Sequence, residues 1–185
     1  MGTTSDNVQQ ALLDEIRALR AELDIVRNNQ RGLSLQQQPQ QQVVIKHAAW
    51  IHGLGLELES PSWKAVRQGF YTTVTPSHES QTGWVHFVIP TPVIVDGVRL
   101  KTDSARVRFS TGAAATITNF HVYDGEIKIR DNNSLSMAGK MQYLIEPLPK
   151  DHEVLWGTAI CVGVKFDGIG PEAYVQFIAA GIDFY

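Results

Sequence analysis

The sequence predicts a mainly β protein, in which an antiparallel, jelly-roll-like β-sandwich domain follows an N-terminal coiled-coil helix. Three observations predict this class. A heptad pattern of apolar residues is confined to residues 1–29, a glutamine-rich segment occupies residues 30–42, and residues 43–185 consist of short apolar or alternating runs separated by turn residues. We therefore expect a helix, a linker and one β domain.

The N-terminal segment has the residue spacing of a coiled coil. Its apolar seam repeats at alternating intervals of four and three residues, and acidic g positions meet basic e positions in a parallel pair. The alternative is an amphipathic helix packed on its own domain, which the extra apolar residues Leu13 and Ile25 would suit. We favour a parallel homo-oligomer, because docking does not need matched charges. The predicted association residues are Leu12, Ile16, Leu19, Leu23 and Val26 along the seam, and Glu15, Arg20, Glu22 and Arg27 beside it.

We interpret the segment after the helix, residues 30–42, as a spacer. Gly32 and Pro39 break a helix, and a run of glutamines provides no apolar core. We assign no chemistry to it.

The pattern of the β domain predicts a two-sheet sandwich. The pairs Asp96-Gly97, Asp124-Gly125 and Asp167-Gly168 are turn signals, because glycine tolerates a positive φ. The apolar stripe from Ile160 to Phe166 should face the core, and the apolar C-terminal segment should pair within a sheet. Strands are expected near residues 43–51, 54–59, 67–74, 83–89, 98–100, 105–110, 116–123, 127–130, 142–146, 155–166 and 174–184.

Composition excludes several classes of partner. The chain carries 16 basic and 19 acidic residues and a formal charge of −3, so it has no basic excess for a nucleic acid. It has no apolar stretch of about 18 residues and no signal-peptide pattern, so we expect no membrane partner and a cytoplasmic location. Export by a route that needs no cleavable signal stays open.

No catalytic or metal-binding motif is found. The single cysteine, Cys161, lies opposite the aliphatic stripe of its strand, and we expect it to have no adjacent base and to be a buried structural thiol. The six histidines do not show the spacing of a metal motif. We therefore expect no catalytic residue, no metal and no cofactor, and a protein that is not an enzyme.

Four residues are candidates for ligand contact. Trp63 follows Ser60-Pro61-Ser62, so it should be exposed on a loop. His86 and His121 lie on the polar faces of their expected strands, and Tyr123 is two positions from His121. A cross-strand pair of these histidines with Tyr123 nearby would form a small site.

Four segments of the β domain resemble an uncharacterised bacterial family of small all-β proteins. They are residues 47–53 (HAAWIHG), 86–92 (HFVIPTP), 121–125 (HVYDG) and 180–184 (AGIDF). The resemblance covers residues 43–185 and leaves out the helix and linker. It implies the domain boundary and no functional residue, since the family has no assigned activity.

These observations favour a non-enzymatic structural or interaction protein. In this hypothesis, the coiled coil gathers β-sandwich heads that contact each other or a larger assembly. The alternative is a multivalent glycan-binding module, in which association raises the avidity of weak sites. An enzyme with a site built on His86 and His121 is the third hypothesis.

Overall fold

A computed structural model describes residues 44–79 and 81–185, together with Glu15, Leu19, Arg20 and Glu22. The chain divides into two compact units, residues 1–43 and 44–185. In the first unit, the four described residues have α-helical backbone. The remaining seam residues (Leu12, Ile16, Leu23 and Val26), their neighbour Arg27 and the linker lie outside the described residues. Among the described residues, no helix has the length and apolarity needed to cross a membrane.

The second unit consists of antiparallel strands, because its residues alternate between apolar and polar over short runs that end at turn residues. One 3₁₀ turn, Gly53–Gly55, follows the first strand. The strands are β1 (His47–His52), β2 (Glu57–Leu58), β3 (Lys64–Gln68), β4 (Tyr71–Thr75), β5 (Thr82–Val88), β6 (Ile94–Val95), β7 (Val98–Arg99), β8 (Thr102–Thr111), β9 (Ala115–Asp124), β10 (Ile127–Asn132), β11 (Gln142–Pro147), β12 (Thr158–Phe166) and β13 (Val175–Phe184).

Two sheets and one hairpin contain these strands. The six-stranded sheet has the order β11-β8-β13-β4-β3, and β1 also pairs with β13. Strand β4 pairs with the first part of β13, and β1 pairs with its last six residues. The five-stranded sheet has the order β10-β9-β12-β5-β2, and β6 and β7 form the hairpin. The C-terminal segment therefore lies inside a sheet, which confirms its predicted pairing.

The core lies between the two sheets. The predicted stripe of β12 is confirmed, since Ile160, Val162, Val164 and Phe166 are at most 1% exposed. Phe87 of one sheet meets Phe177 of the other at 5.5 Å between ring centroids. These contacts confirm the antiparallel sandwich that alternation predicts.

Three predicted strands differ from the structure. The predicted strand at residues 54–59 begins in the 3₁₀ turn Gly53–Gly55, and only Glu57–Leu58 forms strand there. Residues 67–74 form part of a hairpin instead of one strand, because Gly69 has a φ of +47° and turns the chain between β3 and β4. Strand β12 starts at Thr158 and not near residue 155. The predicted Asp96-Gly97 turn is confirmed, with φ values of +52° and +76° between β6 and β7.

Candidate functional site

The outward face of the six-stranded sheet carries a row of side chains from four neighbouring strands. Trp50 of β1 pairs with Gly181 of β13, Gly181 pairs with Arg106 of β8, and Arg106 pairs with Ile145 of β11. Residues that pair directly across neighbouring strands point to the same side of a sheet. Their side chains therefore lie opposite Ala49, Val107 and the rest of the buried face.

A second row runs beside the first, and the two rows enclose a cleft. Arg108 of β8 pairs with Ala179 of β13 and Tyr143 of β11. The cleft has a volume of about 410 Å³, and Trp50 and Tyr143 keep 39% and 43% of their surfaces exposed. It is lined by Trp50, Arg108, Met141, Tyr143, Ile178 and Ala179.

A glycine sets the position of the tryptophan ring. A Cβ atom added to Gly181 would lie 2.4 Å from Cδ2 and 2.7 Å from Cγ of Trp50, which is far inside van der Waals contact. The indole therefore lies over the backbone of Gly181 and packs against β13. Because Trp50 remains 39% exposed and lines the cleft, its indole presents a flat apolar surface there.

The two arginines of β8 have different surroundings. Arg106 Nη2 lies 2.5 Å from the Asp183 carboxylate, and Arg106 Nη1 donates to the Tyr143 hydroxyl at 3.1 Å. The hydroxyl of Tyr143, followed by the charge of Asp183, raises the pKa of Arg106 against the opposing effect of burial. Arg108 is exposed, and its side chain has no ion pair or hydrogen bond to any described residue. Of these two arginines, only Arg108 lines the cleft, and its guanidinium group has no partner among the described residues.

The outward face of the five-stranded sheet has a second cluster. His86 of β5 and His121 of β9 flank Cys161 of β12 at one register. His86 Nδ1 lies 3.1 Å from Cys161 Sγ, and His86 Nε2 lies 3.1 Å from Glu59 Oε2. Burial and then the charge of Glu59 raise the pKa of the Cys161 thiol to about 11. The sulfur therefore keeps its proton near neutral pH.

His121 is held by its own neighbours. Its Nε2 lies 2.6 Å from Asn133 Oδ1, and its ring lies 4.6 Å from the Trp84 ring and 6.3 Å from the Tyr123 ring. The two histidines are not direct cross-strand neighbours, since β12 separates them. The polar groups of this second cluster largely satisfy one another, unlike Arg108 and the aromatic rings of the cleft.

Two expectations about single residues are wrong. Trp63 is only 6% exposed, since its ring fills space beside Gly83, packs edge-on against Phe166 at 5.1 Å and donates from Nε1 to Gln81 at 3.0 Å. Cys161 does have a neighbouring base, His86, which is 75 residues away in sequence and is brought close by the pairing of β12 with β5. Among the described residues, no group of three His, Cys, Asp or Glu side chains has the geometry to hold a metal ion.

Comparison with known families identifies the β domain. Residues 44–185 match the model of a family described as a family of unknown function (DUF6623). The chain belongs to DUF6623. This match confirms the resemblance to an uncharacterised all-β family, and it places all six residues that line the cleft inside the family region. The search of curated proteins finds no match.

Solved structures to which this chain is similar include two carbohydrate-binding modules and an enzyme. A low-affinity xylan-binding module, CBM86, from Roseburia intestinalis has a TM-score of 0.49 and 11% identity over 75% of this chain and 96% of that chain. CBM29_1, a family 29 carbohydrate-binding module from Piromyces equi, has a TM-score of 0.42 and 9% identity over 74% and 90%. An exo-β-1,3-galactanase from Phanerochaete chrysosporium has a TM-score of 0.40 and 12% identity over 75% and 30%.

None of the four ligand-contact candidates chosen from the sequence lines the cleft. One signal could have found the residues that line it. Arg106 and Arg108 alternate with buried Val107 and Phe109, so they mark the outward face of β8, and a glycine inside an apolar strand often marks a close approach by another group. The sequence does not indicate that Trp50 and Tyr143 line one cleft on that face.

Proposed function

We propose that this protein is a glycan-binding module that binds its ligand in the cleft of the six-stranded sheet. One observation carries the proposal: two exposed aromatic rings, Trp50 and Tyr143, stand on the same rigid sheet face with a guanidinium group, Arg108, in the same cleft. Strands β1 and β11 are three strand spacings apart, or about 14 Å. This width suits a short oligosaccharide lying across β13 and β8.

The chemistry of the cleft matches that of a sugar chain. The C–H face of a pyranose ring is apolar and stacks on an aromatic face, while its hydroxyl groups need hydrogen-bond partners. The indole over Gly181 provides the flat apolar surface, and Arg108, with the Tyr143 hydroxyl, provides polar groups at its side. Because these side chains stand on strands, the unbound site already has its binding geometry.

We propose further that the protein binds and does not catalyse. The six residues that line the cleft include no carboxylate, and Asp183, beside it on β13, already pairs with Arg106 at 2.5 Å. The thiol of Cys161 holds its proton at neutral pH because its pKa is raised to about 11. Neither arrangement supplies a free nucleophile or general base.

The test is binding of the full chain to soluble polysaccharides by affinity gel electrophoresis and calorimetry. We expect Trp50→Ala and Tyr143→Ala each to weaken binding about tenfold, because each removes one stacking surface. The matched control is Trp156→Ala, which removes a 69% exposed tryptophan outside the cleft and should leave binding unchanged. Thermal unfolding of each variant verifies that it is folded at the assay temperature.

Two results would contradict this function. Folded native protein that binds no member of a broad polysaccharide panel would exclude it. Full binding by the Trp50→Ala, Tyr143→Ala double variant would exclude the cleft as the site.

A second function, self-association, is supported by the N-terminal unit. Glu15, Leu19, Arg20 and Glu22 have helical backbone, and Leu19, a predicted seam position, is 55% exposed. We propose that this helix forms a parallel coiled coil with the same helix of other copies, which gathers several β domains. Linking weak binding sites in this way raises their combined affinity without any new contact.

A further inference from the structure

We infer that the ligand of the cleft is an acidic glycan, whose uronic acid carboxylate pairs with Arg108. This inference rests on the proposed function, and it names the class of sugar. It starts from the charges of the cleft, which do not cancel.

Three charged groups on neighbouring strands lie in or beside the cleft, and of these only Arg108 lines it. Arg106 and Asp183 form an ion pair at 2.5 Å, and Arg106 also donates to Tyr143, so this pair is neutral and its donors are partly used. Arg108 is exposed beside it and has no partner among the described residues. One positive charge is therefore left in the cleft, although the whole chain has a formal charge of −3.

The position of Arg108 specifies where the acid group binds. Arg108 pairs directly with Tyr143 on β11, and it lies one row from Trp50 on the same face. A sugar stacked on either ring would direct its ring substituents along the sheet towards this guanidinium. An arginine binds a carboxylate through two parallel N–H···O bonds, which adds both energy and orientation.

The single unpaired charge distinguishes between acidic polymers. A uronate carries one carboxylate per sugar, which one guanidinium neutralises. A heavily sulfated chain carries more charges per sugar, so it would need several cations, and the negative overall charge of this protein repels it more strongly than a uronate chain. The inferred ligand is therefore a chain with carboxylate-bearing sugars.

The experiment compares two forms of one polymer. The full chain is titrated with an oligogalacturonate, and with the same oligosaccharide after its carboxyl groups have been reduced to alcohols. We expect binding to the acidic form to be about tenfold tighter, since a hydrogen bond to a charged group contributes this much. Arg108→Gln should remove this difference in affinity between the acidic and the reduced oligosaccharide. Arg108→Lys, which keeps the charge, should retain part of it. The matched control, Arg67→Gln, alters an exposed arginine of β3 and should keep the full difference.

The outcomes separate this inference from the function on which it rests. Equal binding of both forms, unchanged in Arg108→Gln, would overturn the acidic ligand and leave a glycan module. Preference for a sulfated polymer over the uronate would also overturn it. If native protein binds no glycan and Arg108→Gln instead changes its mass in solution, the face is an interface between copies, and both proposals fail.

Discussion

Cys161 shows how neighbours decide the chemistry of one side chain. Its thiol touches the His86 imidazole, which in turn bonds to Glu59, an order that resembles a nucleophile, a base and an orienting acid. Burial and the negative charge of Glu59 both disfavour a thiolate, so the pKa of Cys161 is raised to about 11. The sulfur is therefore a poor nucleophile in spite of its neighbours.

This pKa predicts a slow, pH-dependent alkylation. We expect iodoacetamide to modify folded protein slowly at pH 7.5 and faster up to pH 10, while urea-unfolded protein reacts as an ordinary thiol. Glu59→Gln removes a charge that raises the pKa of Cys161, so the rate at pH 8 should increase. If folded and unfolded protein are alkylated at the same rate at pH 7, His86 accepts the proton of the Cys161 thiol, and the raised pKa is contradicted.

At the scale of the elements, Asp124 joins the end of β9 to the segment before β12. The sequence explains this aspartate as a turn residue before Gly125, but its buried carboxylate does more. It accepts hydrogen bonds from the backbone N–H groups of Leu155, Trp156 and Gly157 at 2.7–3.0 Å, and from His152 Nε2 at 2.9 Å. These bonds explain why β12 begins only at Thr158.

The ionisation of Asp124 stabilises this segment. Burial alone would raise its pKa, but the N–H groups of Gly157, Leu155 and Trp156, with His152, outweigh burial and lower it. A carboxylate whose pKa is lower in the folded state contributes stability above its unfolded pKa, and that contribution is lost as the pH falls through the folded pKa.

Asp124→Asn therefore tests the contribution of this carboxylate. We expect the free energy of unfolding to decrease by about 1–3 kcal/mol at pH 7, and the difference from the native protein to narrow as the pH falls below about 4. Urea unfolding at several pH values measures this. Asp167→Asn, at another Asp-Gly pair, removes only an exposed pair with Lys165 and should cost less than about 1 kcal/mol. An equal decrease in the free energy of unfolding for Asp124→Asn and Asp167→Asn would contradict a special role for Asp124.

For the whole molecule, the division at residue 43 predicts two separable functions. The β domain of residues 44–185 has its own core between two sheets, so a chain that starts at Val44 should fold and unfold cooperatively. We expect light scattering to find an oligomer for the full chain and a monomer for the shortened chain. Glycan affinity should fall on truncation if several sites act together.

Other masses would change this interpretation. If the full chain and the shortened chain are both monomers, the heptad seam does not associate copies of the protein. If both chains are oligomers, the main interface lies on the β domain itself. Substitutions on the outward sheet faces would then be the first to test for loss of association.

The amino-acid sequence by itself determined that the β domain is built from antiparallel strands around an apolar core. Alternation is a local property, so Val107, Phe109 and the stripe from Ile160 to Phe166 could be assigned to the core without knowing their partners. Turn chemistry is local too, which is why the hairpin at Asp96-Gly97 was predictable, while the turn at Gly69 was missed inside an otherwise strand-like run.

Only the tertiary structure decided where chemistry could take place. Trp50, Arg108 and Tyr143 line one cleft because β13 and β8 lie between β1 and β11, and this strand order depends on pairing between distant segments. The same long-range pairing brings His86 to Cys161 and buries Trp63 beside Gly83. Local sequence determines which face a residue takes on its own strand, whereas the neighbours on that face are fixed only when the strands are ordered and in register.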